Sequence, residues 1–172
     1  RYGVLPSQLR NKVEEINDKD NARVIDIEHY YIGSNRRYAF VTVPNTGKNK
    51  KEWSFSGNKS FSEIQRIYND NDYNLIDLEP QKNGRFSAVY VEDFGTARWS
   101  VRQNLKYDQI SPTVRSRDMR IIDIERYINS SGKIRYSLIM VNNIRDRNHE
   151  FHLEAVSPVS YTHLTMPTRG FV

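Results

Sequence analysis

The sequence predicts a mainly β fold made of tandem repeats of about 46–51 residues, each with three strands and a short helix, in a propeller-like or curved array. Three landmarks recur in the same order and support this prediction. The first is an apolar-acidic stretch, found as Ile25-Asp26-Ile27-Glu28, Ile76-Asp77-Leu78-Glu79 and Ile122-Asp123-Ile124-Glu125. The second is a basic-aromatic strand that starts at Arg37, Arg85 and Arg135. The third is an aromatic residue that begins a later strand, at Trp53, Trp99 and Phe151.

A capped helix precedes each apolar-acidic stretch. Ser7 is predicted to cap the first helix, in which Leu9, Val13 and Ile16 share one face. The same order of capping residue, Glu or Gln, and apolar residue recurs at Ser62 and at Asp108. The first helix is expected to be about one turn longer than the second.

Each apolar-acidic stretch and the basic-aromatic strand after it are expected to form a hairpin. Asn83-Gly84 and Ser131-Gly132 predict two-residue turns, whereas Gly33-Ser34-Asn35 predicts a three-residue loop. Counting outward from these turns pairs Asp26 with Thr42, Asp77 with Tyr90, and Asp123 with Met140. This register places Ile25, Ile27, Val41 and Val43 on one core face, and the carboxylates with Tyr38 and Phe40 on the other.

The landmarks divide the chain into segments. Residues 1–22 are interpreted as the end of a preceding repeat, 23–73 and 74–119 as repeats, and 120–157 as an incomplete repeat. Residues 158–172 resemble a translated adaptor sequence used in preparing DNA libraries, with Met166 as the departure. We therefore expect this tail to be an assembly artefact, and the chain to be a fragment of a longer protein.

Composition excludes several classes of protein and site. The chain has no cysteine, which excludes disulfides and thiolate metal sites. Its 26 basic and 21 acidic residues are dispersed along the sequence, whereas a nucleic-acid-binding protein concentrates positive charge in a patch. No apolar run is long enough for a membrane-spanning helix. We expect no nucleic-acid partner and no membrane span.

The recurring acidic and basic residues are predicted to be structural. A residue present in every repeat serves the packing that all repeats share, whereas catalysis needs a single site. The aspartates are expected to bind backbone amides or the recurring arginines. This structural set comprises Asp26, Glu28, Arg37, Asp77, Glu79, Arg85, Asp123, Glu125 and Arg135.

Apparent catalytic and metal-binding motifs do not fit their chemistry. Two Ser-x-x-Lys matches, at 56–59 and 130–133, lie in a loop and at a hairpin turn rather than at the start of a helix. His149 and His152 are three apart in a predicted strand and would face opposite sides. We expect no catalytic residue, no metal site and no cofactor in this chain.

Aromatic side chains are the remaining candidates for ligand contact. Trp53, Trp99, Tyr90, Tyr30 and Tyr31 could stack on a peptide or a polysaccharide. Packing in the core is the alternative role for each of them, and it is the one that we favour.

The three landmarks, with the pattern Arg-Tyr-x-x-Val-x-Val-x-Asn, resemble the bacterial tandem repeat domain of polyglycine hydrolases and related hydrolases. The resemblance covers residues 1–155 and implies a propeller of unusual handedness that precedes a β-lactamase-type serine hydrolase domain. It implies a non-catalytic accessory domain of a secreted bacterial enzyme, covalently attached to the hydrolase and binding a peptide or polysaccharide. The alternatives are a stand-alone adhesion or scaffold array, and repeats that hydrolyse a substrate themselves through Asp26, Asp77 and Asp123.

Overall fold

The computed structural model describes residues 1–81, 84–92 and 98–142, and within these ranges the chain is mainly β with short helices. The helices are α1 (Leu9–Asp18), α2 (Phe61–Asp70) and α3 (Tyr107–Arg115), and short 3₁₀ turns span Pro6–Gln8 and Gly47–Asn49. The strands are β1 (Ala22–Ile32), β2 (Asn35–Pro44), β3 (Trp53–Lys59), β4 (Tyr73–Pro80), β5 (Phe86–Glu92), β6 (Trp99–Leu105), β7 (Met119–Ile128) and β8 (Ile134–Asn142). No helix of this described part is long and apolar enough to cross a membrane.

The strands form three small antiparallel sheets. The first sheet is β1-β2, the second has the order β3-β5-β4, and the third has the order β6-β8-β7. The strand that begins at Trp53 therefore pairs with the hairpin that follows it in the chain, not with the hairpin that precedes it. The same holds for the strand that begins at Trp99. The predicted third strand at Phe151, like the tail 158–172, lies outside the described residues.

The amino-terminal residues pair with the edge of β2 in the same way that β3 pairs with β5 in the second sheet. Val4 and Tyr38 exchange two backbone hydrogen bonds, with N–O distances of 3.1 and 2.8 Å. The Phe40 amide donates to the Arg1 carbonyl at 2.7 Å. The first hairpin is thus covered along its β2 edge by the segment that leads into α1.

The hairpin turns reverse the predicted loop lengths. Ile32 pairs with Asn35, so the first loop has two residues, and Gly33 adopts a φ of +61°. The Asn129 amide donates to the Lys133 carbonyl, so the third loop has three residues, and Gly132 adopts a φ of +71°. In the second hairpin the Gln81 amide donates to the Arg85 carbonyl, which also encloses three residues, although 82 and 83 lie outside the described part.

The predicted register and the predicted faces are therefore wrong by one residue. The observed partner of Asp26 is Val41, that of Asp77 is Val89, and that of Asp123 is Ile139. Directly paired residues lie on the same face of an antiparallel sheet, so the carboxylates share a face with these aliphatic residues. Phe40 pairs with Ile27, and Tyr38 with His29, so the aromatic rings belong to the opposite face.

Each sheet buries its own apolar cluster. The first cluster consists of Val4, Ile16, Val24, Ile27, Tyr38, Phe40 and Val89. The second consists of Ile64, Leu75, Leu78, Phe86, Ala88, Tyr90 and Ile139. The third consists of Ile110, Val114, Met119, Ile121, Tyr136, Leu138 and Met140. Each cluster takes at least one residue from the helix that leads into its hairpin, which explains the apolar stripe on all three helices.

The capping residues of the three helical segments lie earlier in the chain than predicted. The Glu or Gln three residues after the cap accepts a hydrogen bond from the cap amide. The pairs are Leu5 with Gln8, Ser60 with Glu63, and Lys106 with Gln109. In addition, the Ser60 hydroxyl accepts a hydrogen bond from the Glu63 amide at 3.3 Å. The caps predicted at Ser7, Ser62 and Asp108 are wrong, and the extra turn of the first helix is the 3₁₀ turn Pro6–Gln8.

Candidate functional site

The edge strands β1, β4 and β7 lie side by side and bring together a carboxylate cluster. We use this name for six residues: Asp26, Glu28, Asp77, Glu79, Asp123 and Glu125. An edge strand presents backbone N–H groups that its own sheet does not use. Here the neighbouring carboxylates accept from such groups.

Two aspartates join successive sheets by the same contact. Asp77 Oδ2 accepts from the Ile27 amide at 3.3 Å, and Asp123 Oδ2 accepts from the Leu78 amide at 3.2 Å. Glu79 Oε1 accepts from the His29 amide at 3.0 Å, so two carboxylates of the second sheet accept from backbone amides of the first. These carboxylates therefore satisfy backbone donors of the preceding sheet that burial would otherwise leave unpaired.

A β-bulge sets the direction of each aspartate. The pairing register shifts between Val24 and Asp26, and it shifts at the corresponding positions before Asp77 and Asp123. A bulge inserts one unpaired residue and re-aims the side chains that follow. The inserted residues include Ile76 and Ile122, which pack against the first and the second apolar cluster, respectively.

The carboxylates of the cluster raise one another's pKa values. Burial raises the pKa of Glu28 to about 8, and the charges of Glu79 and Asp26 act in the same direction. Asp77 is 4% exposed, and burial followed by the charge of Asp123 holds its pKa well above the ordinary value. Protonated carboxyls keep acceptor oxygens for the amides, so the cluster remains compatible with the contacts between sheets.

The third sheet shows the same effect at partly accessible positions. Asp123 retains some accessible surface, yet the protein atoms packed around its carboxyl raise the pKa to about 8. The Leu78 amide opposes this increase by donating to the charged form. Burial, followed by the charge of Asp123, also raises the pKa of Glu125 well above its ordinary value.

Glu125 lacks the amide that Glu79 receives. His29 lies two residues after Ile27, and the residue two after Leu78 is Pro80, which has no N–H. The His29 ring also lies against Glu79, where its Nδ1 contacts Oε1 outside hydrogen-bonding geometry. The junction between the second and third sheets therefore has one backbone hydrogen bond fewer at this position.

The described contacts of the recurring arginines are with residues outside the carboxylate cluster. Arg85 donates to the Asn58 carbonyl from Nε and Nη2, at 2.8 and 2.6 Å, and Nη2 lies 3.3 Å from Glu63 Oε2. Arg37 and Arg135 each donate to the carbonyl of the residue before them. Within the described ranges, no group of three or more potential ligands is arranged to hold a metal ion.

A groove of about 800 Å³ lies between α1 and β3 and contains one sequence-predicted aromatic residue. Trp53 donates from Nε1 to Asn17 Oδ1 at 2.9 Å, and with Phe55 it packs on the edge of the first apolar cluster. Polar side chains of Arg10, Glu14 and Asn58 also line the groove. The groove thus combines an apolar floor with groups that can exchange hydrogen bonds with a ligand.

The other four aromatic candidates lie elsewhere. Trp99 meets Tyr68 of α2 edge-on, with ring centroids 4.8 Å apart. Tyr90 is fully buried, and its hydroxyl is 2.7 Å from the Ser56 hydroxyl, so a ligand cannot reach its ring. Tyr30 accepts from the Gly3 amide at 3.0 Å, and Tyr31 lies edge-on to His29. The structure brings none of these rings into the groove.

Sequence reasoning did not identify the polar lining of the groove. Arg10 and Asn17 lie on α1, whereas Asn58 lies on β3, about forty residues later. These residues line the same groove because β3, which follows the first hairpin in the chain, pairs with β5 of the second sheet. No periodic pattern in the sequence predicts this pairing. The i, i+7 spacing of Arg10 and Asn17 on one helix face was the one available signal.

In comparisons with known proteins, no family model, no curated protein and no solved structure matches the chain.

Proposed function

We propose that this chain is a non-catalytic binding module, built as a propeller-like array of tandem repeats and belonging to a secreted hydrolase as its accessory domain. The observation that carries the proposal is the use of Asp77 and Asp123 as acceptors for backbone amides of the preceding sheet. A general base or nucleophile must be free to meet a substrate, whereas these oxygens hold the sheets together.

The groove between α1 and β3 is the proposed binding site. Its apolar lining includes Leu9, Val13 and Phe55, and the half-buried ring of Trp53 supplies an aromatic surface on which a sugar ring or a peptide plane can stack. Asn58 and Arg10 supply polar groups at the rim. A groove of about 800 Å³ with this lining has room for a short peptide or an oligosaccharide.

Tryptophan fluorescence tests the site, because the chain contains only two tryptophans. The variant Trp99→Phe keeps Trp53 as the sole reporter, and the matched control Trp53→Phe keeps Trp99. We would titrate both with oligoglycine peptides and with soluble oligosaccharides of cellulose, chitin and xylan. A saturable change in the Trp99→Phe protein that is absent from the control supports binding in the groove. No response to any probe in calorimetry and fluorescence contradicts it.

The attachment to a hydrolase is tested by sequencing the source gene beyond both ends of this chain. A following domain with a Ser-x-x-Lys helix and a Lys-Thr-Gly strand supports the accessory role. An open reading frame that closes after further repeats favours the stand-alone adhesion or scaffold array. Hydrolysis of a probe by this chain, lost in Asp77→Asn with the fold intact, would instead establish catalysis by the repeats.

A further inference from the structure

Two residues of the groove are smaller than their counterparts between α2 and β6. The capping boxes that precede α1 and α2 align the two helices, so Val13 corresponds to Tyr68. The Tyr68 ring lies edge-on against Trp99, which is the counterpart of Trp53. Val13 has no ring to place against Trp53, and the space between α1 and β3 is open.

Gly57 is the second small residue, and its counterpart in β6 is Gln103. A Cβ atom at Gly57 would lie 3.4 Å from the Phe55 ring and 3.6 Å from Leu9 Cδ2, which is ordinary van der Waals contact. Gly57, Phe55 and Leu9 all line the groove, and the φ of Gly57 is not positive. A larger side chain can therefore be placed at this position without backbone strain, and it would occupy part of the groove.

The groove has two distinguishable ends, because β3 runs antiparallel to α1. Trp53, at the start of β3, donates from Nε1 to Asn17 near the carboxyl end of α1. Gly57, toward the end of β3, faces Leu9, the first residue of α1. One end of the groove thus lies beside the first turn of the helix, and the other beside its last turn.

The two ends carry opposite charge. Arg10 and Lys59 line the groove beside the first turn of α1, whereas Glu14 and Asp18 lie toward its last turn. We call these the basic end and the acidic end. The dipole of α1 acts in the same direction, with its positive pole at the basic end and its negative pole at the acidic end. A ligand in the groove therefore meets a field that runs along its length.

Arg10 and Glu14 are available to a ligand. Both are exposed, and in the described part of the chain neither side chain makes a hydrogen bond or an ion pair. Their counterparts in α2 are Gln65 and Asn69, which carry no charge. The two charges therefore do not belong to the packing that α1 and α2 share, and a ligand displaces no protein contact to reach them.

We propose that the groove binds a short peptide with free termini in one direction, with its carboxylate at Arg10 and its α-amino group at Glu14 and Asp18. This inference rests on the proposed binding function and narrows its ligand to a zwitterionic peptide instead of a neutral oligosaccharide. Arg10 and Asp18 lie about 12 Å apart along the axis of α1, and an extended tetrapeptide spans about 13 Å. A guanidinium can donate two parallel hydrogen bonds to a carboxylate.

Capped forms of one peptide test the direction of binding. The Trp99→Phe protein, with Trp53 as the reporter, is titrated with tetra-alanine, its N-acetyl form, its carboxyl-terminal amide and the doubly capped form. Each cap is expected to raise Kd by about threefold to tenfold, because it removes one charge contact at a solvent-accessible site.

Variants of the two ends assign each terminus of the peptide. Arg10→Gln is expected to weaken tetra-alanine binding by the same factor and to abolish the effect of the amide cap, while acetylation still weakens binding. Glu14→Gln combined with Asp18→Asn is expected to show the reverse pattern. Arg115→Gln, at an exposed position of α3 outside the groove, is the matched control and should leave all four affinities unchanged. Cap effects that are the same with and without Arg10→Gln would overturn the proposal.

Gly57→Gln separates the failure of this inference from the failure of the proposed function. The variant is expected to block the groove, and Val13→Tyr is expected to block it from α1 if the first variant does not fold. If chitotetraose or the doubly capped peptide binds as tightly as tetra-alanine, and this binding is lost in the blocking variants, the directed peptide is overturned and the binding function stands. Binding that survives both blocking variants, or no response to any probe, overturns both.

Discussion

The Asp77 carboxylate accepts a hydrogen bond from the Ile27 amide, and this contact joins two sheets through residues 50 positions apart in the chain. The donor is buried and belongs to an edge strand, so it has no acceptor in its own sheet. The side chain is therefore needed as an oxygen acceptor more than as a charge, and the two requirements can be separated by substitution.

Asp77→Ala is expected to lower the free energy of unfolding by about 1–3 kcal/mol, because it leaves the Ile27 amide buried without a partner. Asp77→Asn keeps an acceptor oxygen and removes an ionisable group from the carboxylate cluster. It is therefore expected to lower the free energy of unfolding by less than Asp77→Ala does. Urea denaturation of both variants measures the difference. Equal losses in the two variants would contradict the assigned role.

The structure and the sequence pattern place the cap of α2 at different residues, and substitution can distinguish between them. The Ser60 hydroxyl accepts from the Glu63 amide, whereas Ser62 is exposed in the first turn. Ser60→Ala is expected to lower the free energy of unfolding by about 1 kcal/mol, and Ser62→Ala to leave it almost unchanged. Thermal or urea unfolding compares the two. A larger effect at Ser62 would restore the cap predicted from sequence.

Local patterns in the sequence predicted the β-rich class, the three hairpins and the apolar faces of the helices. Each of these depends on neighbours within one or two turns or pleats, as in the stripe of Leu9, Val13 and Ile16. The structural interpretation of the aspartates depended on recurrence alone, and the amide contacts of Asp77 and Asp123 agree with it.

Two small features that the sequence does not reveal set the register: the loop length fixes it from the turn to the aspartate, and a bulge shifts it again beyond the aspartate. Loop length differs by one residue between Gly33-Ser34 and the turn that contains Gly132, and each first strand contains a bulge before its aspartate. Since side chains alternate with a period of two, one residue of error exchanges the faces. The pairing of β3 with β5 is a long-range choice that local patterns do not encode, and the groove depends on it.

The carboxylate cluster is expected to make the protein less stable as pH rises. Glu28 and Asp123 have pKa values of about 8 in the folded chain, above the ordinary values near 4 in the unfolded chain. The folded state thus binds more protons between about pH 4 and about pH 8. Its stability is fully present below this window, falls through it, and levels off above it.

Urea denaturation at about pH 5, about pH 7 and about pH 9 measures this trend. Glu63 does not obscure it, although hydrogen bonds from Ser60 lower the Glu63 pKa to about 2. The stability from that group is complete above about pH 4 and is lost only as pH falls toward 2. Stability that is constant or rises between pH 5 and pH 9 would show that the cluster is not protonated on folding.

Among the residues of the carboxylate cluster, Glu125 is the one whose removal is expected to increase the free energy of unfolding most. Burial raises its pKa, and Pro80 supplies no amide to stabilise the charged form. Glu125→Gln should therefore increase the free energy of unfolding at about pH 9, with the gain shrinking toward about pH 5, where the carboxyl is protonated in the folded state. The exposed Glu52, changed to Gln, serves as the matched control and should show no such pH-dependent gain.

Pro80→Ala tests the cause of this effect. The substitution restores an N–H opposite Glu125 but removes part of a buried ring, so its net effect on stability is not informative alone. The informative quantity is the coupling between Pro80→Ala and Glu125→Gln in a double-mutant cycle. If the missing amide is the cause, Pro80→Ala is more favourable in the unaltered chain than in the Glu125→Gln variant, which carries no charge at this position, and the coupling grows as pH rises. A coupling near zero at all pH values would assign the raised pKa to burial and the neighbouring carboxylates, without a contribution from the missing amide.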